Sequence, residues 1–184
     1  MTSIGNKVDS TFLTEANTGN RYRVKMQQEL LTMDKERELA PLNPRCVVCG
    51  SSNPKGLRVS FQQNANGICA DWIPTSEWEG FQGTIHGGII ATILDEAMSK
   101  AIIARNWEAL TVDLRVRFRG RVSPGQVLHV RGWVVEKQRR KILTEAALTS
   151  DTGEERAHAW ATFLVPPRGL SGRTRDAAGV EPRD

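Results

Sequence analysis

The chain is poor in the residues that staple or anchor a protein. Among 184 residues there are three cysteines and three histidines, and no apolar run approaches the length of a membrane span. An odd, small number of thiols in a chain this long argues against a disulfide scaffold and for a reducing compartment. A bilayer-crossing helix needs about 20 consecutive apolar residues, so none is expected. The opening Met1-Thr2-Ser3-Ile4-Gly5-Asn6-Lys7 lacks an apolar core, so no signal peptide is expected and the cytoplasm is the expected location. There is no internal repeat, no low-complexity tract and no nucleophile elbow. Basic residues are not interleaved with aromatics in a nucleic-acid motif, so neither nucleic acid nor membrane is an expected partner.

What is present is concentrated in the middle of the chain. Hydrophobic residues make up 39 %, a low share that follows from polar ends, because the apolar pattern is dense only from about Leu57 to Val165. Three regions are expected: residues 1–40 as an extension with an amphipathic helix over Arg21–Leu39, residues 41–166 as the folded domain, and residues 167–184 as a flexible tail. The net charge is +4. Its main concentration, Lys137-Gln138-Arg139-Arg140-Lys141, suits an anionic small molecule. Arg139 and Arg140 are the candidates for gripping phosphates, since a guanidinium binds them bidentately.

Leu57–Phe61 and Ile68–Ile73 read as a hairpin across Asn64-Ala65-Asn66-Gly67. A helix follows from about His86 to Asn106, then strands over Leu110–Arg119, Val127–Lys137, Ile142–Thr149 and Arg156–Val165. Their separators, Ser123-Pro124-Gly125, the basic cluster and Asp151-Thr152-Gly153, predict antiparallel sequence neighbours. Two strands, one long apolar helix and four strands make an α+β arrangement in which one sheet covers a single helix.

That helix is the informative segment. At about 100° per residue, Ile90, Ile93, Leu94, Ala97, Met98 and Ala101 fill a broad apolar face, while Gly88, Thr92, Asp95 and Ser99 form a narrower polar stripe. Glu96 lies off that stripe, so it is not expected to work with Asp95. Gly87 and Gly88 open the helix, where free N–H groups and partial positive charge favour an anion or a carbonyl oxygen gaining charge. Gly87 and Asp95 lie about 12 Å apart along the axis at 1.5 Å per residue. A single carbonyl reaches both only if they come from two copies, which a twofold homodimer would supply.

His86-Gly87-Gly88 with Asp95, Thr111-Val112-Asp113-Leu114-Arg115-Val116-Arg117-Phe118 and Ser123-Pro124-Gly125 together resemble the hotdog-fold acyl-CoA thioesterases of the PaaI-like (phenylacetic-acid-degradation) type. Cys46-Val47-Val48-Cys49-Gly50 with Asn53-Pro54-Lys55-Gly56-Leu57 looks like a leader found in some members. The resemblance spans roughly Arg45 to Val165. It implies a hotdog fold, a curved antiparallel β-sheet wrapped around one long central helix, and homodimers that can pair into homotetramers. It implies an enzyme that hydrolyses acyl-CoA or another acyl thioester to acid and thiol. Asp95 would activate water, the Gly87 N–H of the second subunit would polarise the carbonyl, His86 would orient the substrate or the loop, and Thr111 would help hold the water. Gly88, Gln82, Phe81 and Ser99 would adjoin the substrate, with Phe81 in an acyl pocket. Relatives often carry Asn six residues before the His; Gly80 stands here, with Gln82 as the nearest amide. That departure motivates the alternative, a non-catalytic acyl-CoA-binding or regulatory protein on the same fold.

No cofactor is expected beyond the coenzyme A of the substrate, because a thioester carbonyl is electrophilic without metal help. Cys46-x-x-Cys49 supplies half of a zinc knuckle, with Cys69 and His158 as possible further ligands. A full four-ligand spacing is absent, so no metal is predicted.

Overall fold

A computed structural model describes residues 37–167 of the chain. In chain order the elements are β1 (Arg37–Glu38), β2 (Gln62–Asn64), β3 (Gly67–Trp72), a 3-10 turn (Ser76–Trp78), β4 (Glu79–Phe81), β5 (Thr84–Ile85), α1 (Gly87–Ile103), β6 (Leu110–Phe118), β7 (Leu128–Gln138), β8 (Lys141–Ser150) and β9 (Glu155–Leu164). Seven strands form one antiparallel sheet in the order β1-β2-β3-β7-β8-β9-β6, and β4 pairs with β5 apart from it. The sheet curves around α1, the hotdog arrangement.

Every residue of the predicted apolar helix face is buried, and Ile93, Leu94, Ala97, Met98 and Ala101 are fully so. They pack on inward residues of the long strands, among them Leu128, Val130, Ile142, Ala146, Ala159 and Phe163. The helix lies so close to β7 that a Cβ on Gly132 would sit 2.5 Å from the Ala97 carbonyl oxygen. Glycine at that position therefore sets the helix-to-sheet distance. Asn106, in the left-handed region at φ 57°, turns the chain out after the helix. This ends α1 at Ile103, three residues before the predicted limit.

Three expectations need correction. β6 and β7 are not neighbours: β6 pairs with β9 at the sheet edge, and β7 lies between β3 and β8. The link between them is not a hairpin. It buries Val122, whose carbonyl accepts from Ile85 N–H at 2.9 Å, and Gly125 N–H donates to the Pro74 carbonyl at 2.8 Å. Second, Leu57–Phe61 stays outside the ladder. Its N–H groups at Leu57 and Val59 donate to Val47 and Val48, and the hairpin with β3 is made by Gln62–Asn64. Third, most of the predicted helix over Arg21–Leu39 lies outside the described residues, but Arg37 and Glu38 at its end are strand, paired with Gln63 and Gln62. All of the predicted C-terminal tail except Pro167 also lies outside the described residues.

Candidate active site

Helix α1 delivers its two chemical features to different places. One is Asp95, half-buried, whose Oδ1 accepts a hydrogen bond from Thr111 Oγ1 at 2.8 Å. Thr111 reaches it because β6 carries a bulge at Val112. Thr111 pairs with the buried Phe163, and Asp113 with Thr162. The extra residue puts Thr111 on the helix side and Asp113 on the other, where strict alternation would have put both on one side. Burial raises the Asp95 carboxyl above its usual range; the Thr111 hydrogen bond opposes this, and the neighbouring Glu96 charge adds to it. An acid so placed is a better proton acceptor than a solvated aspartate.

The other feature is the helix mouth. His86 is the N-cap, and its Nδ1 accepts from the Gly88 N–H at 2.9 Å. With Nδ1 as acceptor, the neutral ring carries its proton on Nε2. Its backbone N–H donates to the Trp78 carbonyl at 2.8 Å. Gly80 makes room for this histidine, since a Cβ there would lie 2.9 Å from His86 Cδ2. The Gly87 N–H has no acceptor among the described residues. It opens into a cleft of about 390 Å³ lined by Phe81, His86, Gly87, Ile90, Phe118 and Arg121. A Cβ on Gly87 would approach Phe118 Cζ to 3.2 Å, so glycine keeps this N–H open beneath the ring. Arg121 secures the rim by donating to the Gly83 carbonyl at 2.7 Å.

Thus one chain brings Asp95 and Thr111 together, and His86, Gly87 and Phe81 together, but does not unite the two groups. Among the other predicted residues, Gly88 uses its N–H on His86, and Ser99 is half-buried one turn beyond Asp95. Thr92 donates back to the Gly88 carbonyl at 2.8 Å. Gln82 is exposed and outside the cleft lining of its own chain, and its backbone carbonyl accepts from Arg121 at 3.5 Å. Arg139 and Arg140 occupy the β7–β8 turn, away from the cleft of their own chain, and Arg140 Nε donates to the Val165 carbonyl at 2.8 Å. Phe118 and Arg121 were not singled out from the sequence. Alternation along β6 puts Phe118 on the inner face, but only the fold reveals which end of the strand meets the helix mouth.

Glu96 points away from Asp95, as its helical angle requires. Its carboxylate accepts from the Cys49 thiol at 3.0 Å and the Cys46 thiol at 3.7 Å, and it pairs with the buried Lys100 at 3.7 Å. Burial, then the Glu96 hydrogen bond and charge, push the Cys49 thiol up to about 12, so it is no thiolate nucleophile. Cys69 and His158 are not near this pair. Asn64 Nδ2 donates to the Cys69 sulfur at 3.6 Å, and His158 sits against Glu145 and Glu155 on the opposite face of the sheet.

Comparison with known proteins bears on the fold and on the stretch that carries these residues. Residues 82–157 match the thioesterase superfamily. The matched stretch holds α1, β6, β7, β8 and the start of β9, and therefore Asp95, Thr111 and both helix-mouth glycines. No curated protein sequence matches the chain. The hotdog fold is shared with a solved thioesterase superfamily protein at 17 % identity, covering 87 % of this chain and 81 % of that one with a TM-score of 0.65. It is also shared with a hypothetical thioesterase from Streptococcus pneumoniae TIGR4 solved with coenzyme A, at 17 % identity over 59 % of this chain and 85 % of that one, TM-score 0.56. The PaaI protein of the Escherichia coli phenylacetic acid degradation operon matches at 14 % identity over 59 % and 83 %, TM-score 0.56. At these identities the likeness to PaaI is one of fold. Among the described residues no helix is long and apolar enough to cross a membrane.

Proposed function

We propose that the protein hydrolyses an acyl thioester, with acyl-CoA as the substrate class, in a homodimer whose two sites each draw on both subunits. The observation that carries the reading is the Thr111–Asp95 pair: a partly desolvated carboxylate held by a hydroxyl, with its proton affinity raised. Thioesterase superfamily membership of the surrounding residues and the coenzyme A bound to the pneumococcal neighbour support it.

β6 supports the dimer. It is an edge strand whose apolar residues Leu110, Val112, Leu114 and Phe118 are 37–56 % exposed in the single chain, a liability that pairing with a second copy removes. Antiparallel pairing of two β6 strands about a twofold sets the Leu110 end of one against the Phe118 end of the other. Asp95 and Thr111 lie at the first end, and the cleft above Gly87 lies at the second. The pairing therefore carries each carboxylate toward Gly87 of the partner subunit. The turn with Arg139 and Arg140 closes the sheet at the Leu110 end, where Lys141 pairs with Leu164 and Leu164 with Leu110. It is carried toward the partner's cleft too, where it can meet coenzyme A phosphates.

In the reaction, Asp95 takes a proton from a water oriented by Thr111, and that oxygen attacks the thioester carbon. The carbonyl oxygen gathers charge against the Gly87 N–H of the partner subunit and the helix dipole behind it. Collapse expels the thiolate, and the proton held by Asp95 goes to the leaving sulfur. The step requires no cofactor. The test is thiol release by the purified protein from short, medium, long and aryl CoA esters. Asp95→Asn is expected to lower kcat by roughly 10²–10⁴-fold with the fold retained. Saturable CoA-ester binding without thiol release would make the protein a binding module instead.

A further inference from the structure

We infer that Cys46, Cys49 and Glu96 form a binding site for one zinc-type divalent cation, which clamps the segment before β2 onto the central helix. Their three ligand atoms lie within 4.8 Å of one another, although Glu96 is 50 and 47 residues from the two cysteines in the chain. At a tetrahedral zinc with Zn–S of about 2.3 Å and Zn–O of about 2.0 Å, sulfur and oxygen ligands lie about 3.5 Å apart. The observed contacts are of that order, 3.0 Å from Cys49 to Glu96 Oε1 and 3.7 Å from Cys46 to Glu96 Oε2, so small side-chain rotations bring both sulfurs and one oxygen onto a single ion.

The loop is built as a sulfur-presenting knuckle. Val48 N–H points at the Cys46 sulfur at 3.4 Å, a donor that favours a charged sulfur. Gly50 N–H closes the turn onto the Cys46 carbonyl at 3.0 Å. No side chain fits at Gly50, where a Cβ would meet Cys46 N, Cys46 O and Pro44 O at 2.5 Å. Two further N–H groups, from Leu57 and Val59, fasten Val47 and Val48 to the following segment.

Charge is balanced with and without the ion. Protonated thiols leave the Glu96–Lys100 pair neutral. Two thiolates and a carboxylate around a divalent cation carry one net negative charge, and the ammonium of Lys100, buried beside Glu96, cancels it. Uptake then exchanges one cation for two thiol protons. All three ligands keep partial exposure, so the ion has a way in, and water is left as the fourth ligand. The role is structural, because Glu96 faces away from the Asp95–Thr111 pair.

The experiment is anaerobic titration of the reduced, chelator-treated full chain with cobalt(II). The expected result is one equivalent bound per chain, with sulfur-to-cobalt charge-transfer absorption and the strong visible bands of a four-coordinate ion. In the wild-type chain, zinc should shield two of the three cysteines from a thiol reagent until a chelator is added. Cys69→Ser should behave as wild type, Cys46→Ser and Cys49→Ser should lose the sulfur band, and Glu96→Gln should weaken binding by roughly tenfold or more. Absence of the sulfur band in saturating cobalt would overturn the site, as would its persistence in the Cys46→Ser, Cys49→Ser double variant. Because shielding and absorption are read on the wild-type chain, a variant that fails to fold does not decide the matter.

Discussion

The Thr111 hydrogen bond favours the ionised form of Asp95, against the burial that raises its proton affinity. Removing that hydroxyl has a signed consequence. In Thr111→Val the only opposing influence is lost, so the carboxyl rises further and the acid limb of the kcat/KM profile moves to higher pH. An acid limb that stays in place would separate Thr111 from the titration of Asp95. A second titrating residue lies far from the cleft. His158 is partly buried, which disfavours its charge, but hydrogen bonds to Glu145 and Glu155 prevail and raise it to about 9. A histidine raised on folding contributes stability that is complete below its unfolded value near 6.5 and is lost as pH climbs through 9. Stability, read as the melting temperature, is therefore expected to fall between those limits, and His158→Gln should flatten that slope. A wild-type curve flat over that range would remove the assignment.

The central helix and the strand beside it show how an element turns composition into position. The 3.6-residue period of α1 separates Asp95, which meets Thr111, from Glu96, which meets the cysteines. The contact with Thr111 depends on how far α1 stands from the sheet, and Gly132 sets that distance. In Gly132→Ala the new methyl collides with the Ala97 carbonyl oxygen, so a loss of roughly 1–3 kcal/mol or more is expected, read as a lowered melting temperature. Periodicity made the helix legible, and alternation made β6 to β9 legible to within a residue or so at each end. It did not reveal the bulge at Val112, which no single residue type announces. Nor did it reveal that Val59 and Phe61 are buried without being in the ladder. Burial leaves the same apolar trace whether or not the backbone is paired.

For the molecule as a whole, the property to test is the proposed division of the site between two subunits. Asp95→Ala should be inactive, and so should Gly87→Val, whose side chain would crowd Phe118 and block the N–H. Mixed after unfolding and refolding together, the two variants should recover about a quarter of wild-type activity. Half of the dimers are then mixed, and each mixed dimer has one intact site of two. No recovery would put both groups of a working site in one chain. A strictly monomeric, active protein would do the same.

By itself the sequence determined the local elements: an apolar stripe that must be buried, strands that alternate, a capped helix mouth and an acid two turns away from it. These follow from short-range periodicity and steric rules that act within a few residues. It also placed Asp95 and Glu96 on different sides of the helix, since adjacent residues diverge by a fixed angle. The tertiary structure alone decided the rest. It moved β6 to the sheet edge through a link that is not a hairpin, and brought Phe118 over Gly87. It also set Glu96 against Cys46 and Cys49, a neighbour that their spacing does not announce. Contacts between residues tens of positions apart depend on the order in which strands close around the helix. That order is set by packing the whole core at once, which no local pattern encodes.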